Sequence, residues 1–157
     1  MAEQTTRERL SGTIFALLGE TFEQVRGIYL DRGTSLLETL DTITAEEASR
    51  PVGGRCATLA AQVEHVTFYL QVMRDYIRQE PMGEIDWQAT WRRQGVTAEE
   101  WQALRQELRE EYGRVTALLR SCETWEGENE IGGALATIVH TAYHLGEIRQ
   151  ALCTLKT

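Results

Sequence analysis

The chemistry open to this chain lies with its three histidines, His65, His140 and His144. His140 and His144 stand at i and i+4. On a helix that spacing stacks both imidazoles on one face, with Cβ atoms about 5–6 Å apart. Two such rings can converge on one metal ion. If the helix that carries His65 lies beside theirs, His65 reaches the same point. Three imidazoles from two helices would then make an open metal site whose remaining positions are left to water or a substrate. The plain alternative is a set of hydrogen-bonded core histidines. Burial weighs against it, because neutral imidazoles among apolar neighbours need partners for their nitrogens and one cation satisfies all three.

All-imidazole ligation suits Zn, Ni, Fe or Cu and is poor for Ca or Mg. Neutral ligands leave the full charge on the ion, which would acidify a water or a thiol brought to it. A protease of the zincin kind is disfavoured, since Thr141, not Glu, follows His140. No protein nucleophile is evident. Cys153 lies nine residues past His144, about 13.5 Å along a helix axis, and Cys56 lies equally far before His65. Both are expected to be small buried apolar residues, and Cys122 is expected to be exposed. Glu64 and Glu147 stand near the histidines, but adjacent helical positions face different ways, and Tyr143 is expected to point away from both its histidine neighbours. Trp87 and Trp91 share a face at i, i+4. They either roof a substrate pocket or fill the core beneath a long loop.

Four segments show the periodicity needed to position these groups. Residues 6–28 carry Leu10, Ile14, Leu17, Leu18, Phe22, Val25 and Ile28 on one stripe, behind a capping box at Thr5 and Glu8. Residues 55–79 follow the Pro51-Val-Gly-Gly54 break and carry Leu59, Val63, Val66, Leu70, Met73 and Ile77. Residues 98–121 begin at a second capping box, Thr97 and Glu100, and carry Trp101, Leu104, Leu108, Tyr112, Val115 and Leu119. Residues 131–155, with Asn129 as cap, hold only Glu147 and Arg149 as charges. A helix apolar nearly all round belongs at the centre of the domain or in a subunit interface. Gly132, Gly133 and Gly146 in it read as close-packing residues. A short helix is expected near 35–40, and the connections 29–54 and 80–96 are long enough to wrap a pocket.

The fold class is therefore all-α, a four-helix bundle formed by a single domain over residues 1–157, a length that suits one core. Sixteen Lys and Arg against twenty-four Asp and Glu, a net charge of −8, disfavour nucleic acid and anionic membranes as partners. The N-terminal residues carry charges of both signs without an apolar run, unlike a signal peptide. The longest uncharged run, 131–146, is too short to span a bilayer. Three widely spaced cysteines without a Cys-x-x-Cys pair suit a reducing cytoplasm.

The run Val139-His-Thr-Ala-Tyr-His-Leu-Gly-Glu-Ile-Arg-Gln150, together with His65 in Ala60-Ala-Gln-Val-Glu-His-Val66, resembles the DinB/YfiT-like superfamily. Those proteins are four-helix bundles with a three-histidine metal site, one ligand from the second helix and two from a His-x3-His in the last. The resemblance maps the ligands onto His65, His140 and His144, and the pair that follows onto Leu145-Gly146. It implies an up-down-down-up order with long crossover connections, and a homodimer. It also implies a small-molecule substrate and a divalent transition metal (Zn, Ni or Fe). Several relatives are transferases or isomerases that use a low-molecular-weight thiol such as bacillithiol, mycothiol or glutathione. The expected function is thus a metal-dependent thiol transferase or isomerase. Its rivals are a metal-dependent hydrolase at the same site and a non-catalytic dimeric stress or partner-binding bundle.

Overall fold

The computed structural model describes residues 5–54 and 56–156. Position 55 and most of the charged N-terminal segment lie outside the described residues; the helix expected from 55 begins only at Leu59, behind the Thr58 cap. Four long helices carry the fold: α1 (Thr6–Phe22), α4 (Leu59–Ile77), α5 (Ala98–Arg120) and α6 (Glu128–Leu155). Two short ones, α2 (Leu36–Leu40) and α3 (Ala45–Ser49), lie between α1 and α4. Both capping boxes read from the sequence form, at Thr5/Glu8 and Thr97/Glu100. Two more, Ser35/Glu38 and Thr44/Glu47, start α2 and α3. Each supplies an acceptor to a backbone N–H that the first helical turn leaves unpaired.

Cross-helix contacts fix the direction of each long helix. Asn129 donates to the carbonyl of Tyr76 at 3.0 Å, so the end of α4 meets the start of α6, and the two run antiparallel. Gln71 pairs with Glu107 and Arg74 with Glu111, so α4 and α5 run parallel. Phe22 stacks on Tyr112 at 4.3 Å while the Arg120 guanidinium lies over Phe15, so α1 opposes α5. The order is up-down-down-up. Parallel α4 and α5 require the chain to return the whole length of α4, about 28 Å at 1.5 Å per residue. Residues 78–97 make that return across the first half of α4, where Arg93 pairs with Glu64 at 2.6 Å.

The expected stripe on α4 is buried at Leu59, Val63, Val66, Leu70 and Ile77, and that on α5 at all six positions. They form one cluster with Ile14, Leu18 and Phe22 of α1 and Ala134, Ile138, Leu145 and Ile148 of α6.

Three expectations are corrected. α1 stops at Phe22 rather than running to 28. The buried carboxylate of Glu20 accepts from the backbone N–H groups of Arg26, Ile28, Tyr29 and Leu30, at 2.7–3.0 Å. That capture winds the chain into a loop, helped by Gly27 at φ +84°, and leaves Ile28 exposed. Asn129 is not a cap; α6 starts at Glu128 behind Gly127, whose N–H donates to Glu130 at 2.7 Å. Finally, α6 does not lie enclosed at the centre of the domain, one of the two settings expected for it. Leu135, Val139 and Tyr143, spaced by four, are exposed by 43%, 66% and 61%. The helix is apolar on two faces, but only one of them packs on the bundle.

Candidate metal centre

α4 and α6 cross where His65 faces His140 and His144. The ring centroids lie 5.1 Å (His65 to His140), 4.8 Å (His65 to His144) and 4.5 Å (His140 to His144) apart. One ring nitrogen of each lies within 4.8 Å of the others. All three histidines named from the sequence are therefore brought together. Close approach of the two helices is enabled at Gly133, where an added Cβ would stand 2.5 Å from Ile77 Cγ1.

The hydrogen bonds around the rings decide which nitrogens are free. The Thr90 hydroxyl gives its one proton to the carbonyl of Trp87 at 2.9 Å. Its 2.9 Å contact with His65 Nδ1 must then be accepted from the ring, so Nδ1 carries the proton and Nε2 the lone pair. His144 Nδ1 lies 2.6 Å from Gln62 Oε1 and 3.0 Å from Glu147 Oε2, both acceptors, so its Nε2 is likewise free. His140 Nε2 is buried without a hydrogen-bond partner. A buried polar atom with no partner costs about 1–3 kcal/mol. The two free Nε2 lone pairs and the unpartnered Nε2 of His140 so gathered fit a divalent cation of the transition series, for which imidazole is a preferred donor.

Electrostatics keep the rings neutral. Burial lowers His65 to about 4, with the His144 ring adding to the shift and Glu147 partly opposing it. Burial, then His144 and His65, lower His140 to about 4. Burial also lowers His144, against Glu147. At neutral pH none of the three needs to lose a proton before it can act as a ligand.

Aromatic rings brace the site. Trp91 stacks on His65 at 4.1 Å and Tyr69 on His140 at 3.6 Å. Trp87 packs edge-on against Phe68 at 5.7 Å and near His65 at 6.2 Å. Both tryptophans and Thr90 ride on the returning segment 78–97, which turns once at Ala89–Trp91. A cleft of about 910 Å³ reaches His65, His144 and Trp91 from the surface and is walled by apolar Val52, Leu59 and Ala151. Trp91 thus lines a pocket rather than filling the core.

Several neighbours depart from expectation. Glu147 reaches His144 across i, i+3, a spacing visible in the sequence, while Glu64 turns to Arg93. Gln62 and Thr90 carried no signal, since their roles arise only once the helices and the return segment pack. Tyr143 is exposed yet lines the cleft, and its ring packs edge-on against His144 at 5.0 Å. Cys56 and Cys153 are exposed instead of buried, Cys56 in the cleft wall, because neither falls on the packed stripe of a helix. Cys122, expected outside, is half-buried against the core. Gly146 packs against nothing; an added Cβ would meet no atom within 4 Å.

Residues 29–148, which include all three histidines, match the DinB superfamily. The chain belongs to the DinB superfamily, and its three-histidine group fits a metal-binding member. No curated protein and no solved structure gives a significant match. Among the described residues, no helix is long and apolar enough to cross a membrane.

Proposed function

We propose that this protein is a metal-dependent transferase or isomerase that uses a low-molecular-weight thiol at the His65/His140/His144 centre. The observation that carries the reading is the convergence of three neutral imidazoles, two of which, His65 and His144, line an open cleft. Membership of the DinB superfamily supports the thiol. A divalent transition metal (Zn, Ni or Fe) held there would lower the pKa of a thiol presented to it.

The chain's own residues do the rest. Val52, Leu59 and Ala151 exclude water from one side of the cleft, and Trp91 covers His65 while offering a flat face to a guest. Thr90 and Glu147 hold the two rings that face the cleft in the tautomer that leaves Nε2 free. We place the protein in the cytoplasm, where thiols of this class stay reduced, with a small molecule as substrate. A homodimer joined through the Leu135/Val139/Tyr143 stripe of α6 completes the reading.

Elemental analysis of purified protein is expected to find about one transition-metal ion per chain, and none after His144→Ala. Equal metal in that variant would overturn the centre. A substrate panel of electrophiles with and without thiol is expected to show thiol-dependent turnover. Thiol-independent hydrolysis would reassign the reaction, and no turnover with metal retained would favour a non-catalytic bundle. Val139→Glu is expected to yield monomer in light scattering.

A further inference from the structure

We infer that Glu147 is a positioning residue of the metal centre, acting through His144 and Gln62 to set the strength with which the metal is held. The inference rests on the metal-binding reading above. It concerns a carboxylate that needs no contact with the metal.

The geometry is a closed triangle between two helices. Glu147 Oε2 accepts from His144 Nδ1 at 3.0 Å and from the Gln62 amide nitrogen at 3.0 Å. Holding that amide nitrogen turns the other end of the amide, Gln62 Oε1, onto the same His144 Nδ1 at 2.6 Å. One carboxylate therefore fixes both acceptors of His144. With its Nδ1 proton claimed from two sides, the ring can neither flip nor change tautomer, and Nε2 stays aimed at the other two histidines. A carboxylate partner also makes the imidazole a stronger donor.

The three rings are held unequally. His144 has a charged partner, and His65 has a neutral one in Thr90. The stacked Tyr69 braces His140, whose Nε2 has no partner. Among the described residues, the carboxylate that hydrogen-bonds a ring of the centre is thus placed on His144. Gln62 lies on α4 and Glu147 on α6, so the triangle also ties together the two helices that supply the ligands.

The test is a Co²⁺ titration of the metal-free protein, with the Kd read by chelator competition and the ligand field by the visible absorption bands. Glu147→Gln keeps the shape and removes the charge. It is expected to weaken Kd by about 10–100-fold and shift the bands, while the metal-free protein keeps a single cooperative melt. The exchange variant Gln62→Glu/Glu147→Gln returns a carboxylate to the same nitrogen from the opposite helix. It is expected to recover most of the lost affinity. Wild-type affinity in Glu147→Gln, or an exchange variant no tighter than the single one, would overturn the role of Glu147. His144→Ala separates the two levels. Co²⁺ lost there but kept at full strength in Glu147→Gln refutes this inference alone, whereas Co²⁺ kept in His144→Ala refutes the metal reading itself.

Discussion

Two carboxylates buried or half-buried in this bundle hold groups that the sequence pattern treats as ordinary. Glu147 was within reach of recognition, because i, i+3 neighbours on a helix face each other. Glu20 was not: it sits on the apolar side of α1 with nothing in its spacing to show that four backbone N–H groups would fold back to meet it. Burial by itself would raise its carboxyl, but the N–H groups of Tyr29, Leu30, Ile28 and Arg26 outweigh burial and bring it down to about 2. The folded pKa thus lies below the unfolded value of about 4.3. The unfolded chain then binds more protons between those values, so this stabilisation is complete above about pH 4.3 and fades as pH falls toward 2. Glu20→Gln is accordingly expected to lower the denaturation midpoint at pH 7, and the gap to wild type should narrow as the pH drops from 4.3 to 2. A gap that stays constant across that range, in urea titrations at several pH values, would contradict the assignment.

At the scale of elements, the long-helix starts that carry a capping box were legible, and the other two, at Leu59 and Glu128, were not. A capping box is written in four consecutive residues, so Thr5/Glu8 and Thr97/Glu100 could be read directly. The end of α1 depends on a contact between Glu20 and a loop up to ten residues on. The glycines of α6 show the same division. Spacing alone gave Gly133 and Gly146 one role, but the packing gives them opposite surroundings. Gly133→Ala would force Ile77 away from α6, and overpacking of this kind costs about 1–3 kcal/mol, more than the helix propensity gained. Gly146→Ala meets open space and is expected to stabilise by about 0.5–1 kcal/mol. Thermal melts of the two variants should therefore move in opposite directions. Equal shifts would mean that the α4–α6 contact is looser than described.

Over the whole molecule, metal binding at this centre would be one equilibrium with folding, since the three histidines meet only when α4 and α6 are packed antiparallel. A ligand that binds the native state alone stabilises it by about 2.7 kcal/mol at a hundred times its Kd. Added metal is expected to raise the melting temperature by several degrees in wild type and not in His65→Ala. A rise of equal size in both would place the bound ion elsewhere. The sequence by itself determined the all-α class, most of the stripes that form the core and the identity of the three histidines. Each of these is a local matter of period and spacing along one helix. Only the tertiary structure decided that Trp91 and Thr90 brace His65, that Gln62 and Glu147 share His144, and that α6 keeps one apolar face uncovered. The reason is physical: those contacts join segments far apart in the chain. They exist because two parallel helices force the connection between them back across the first half of α4, and local periodicity carries no record of that path.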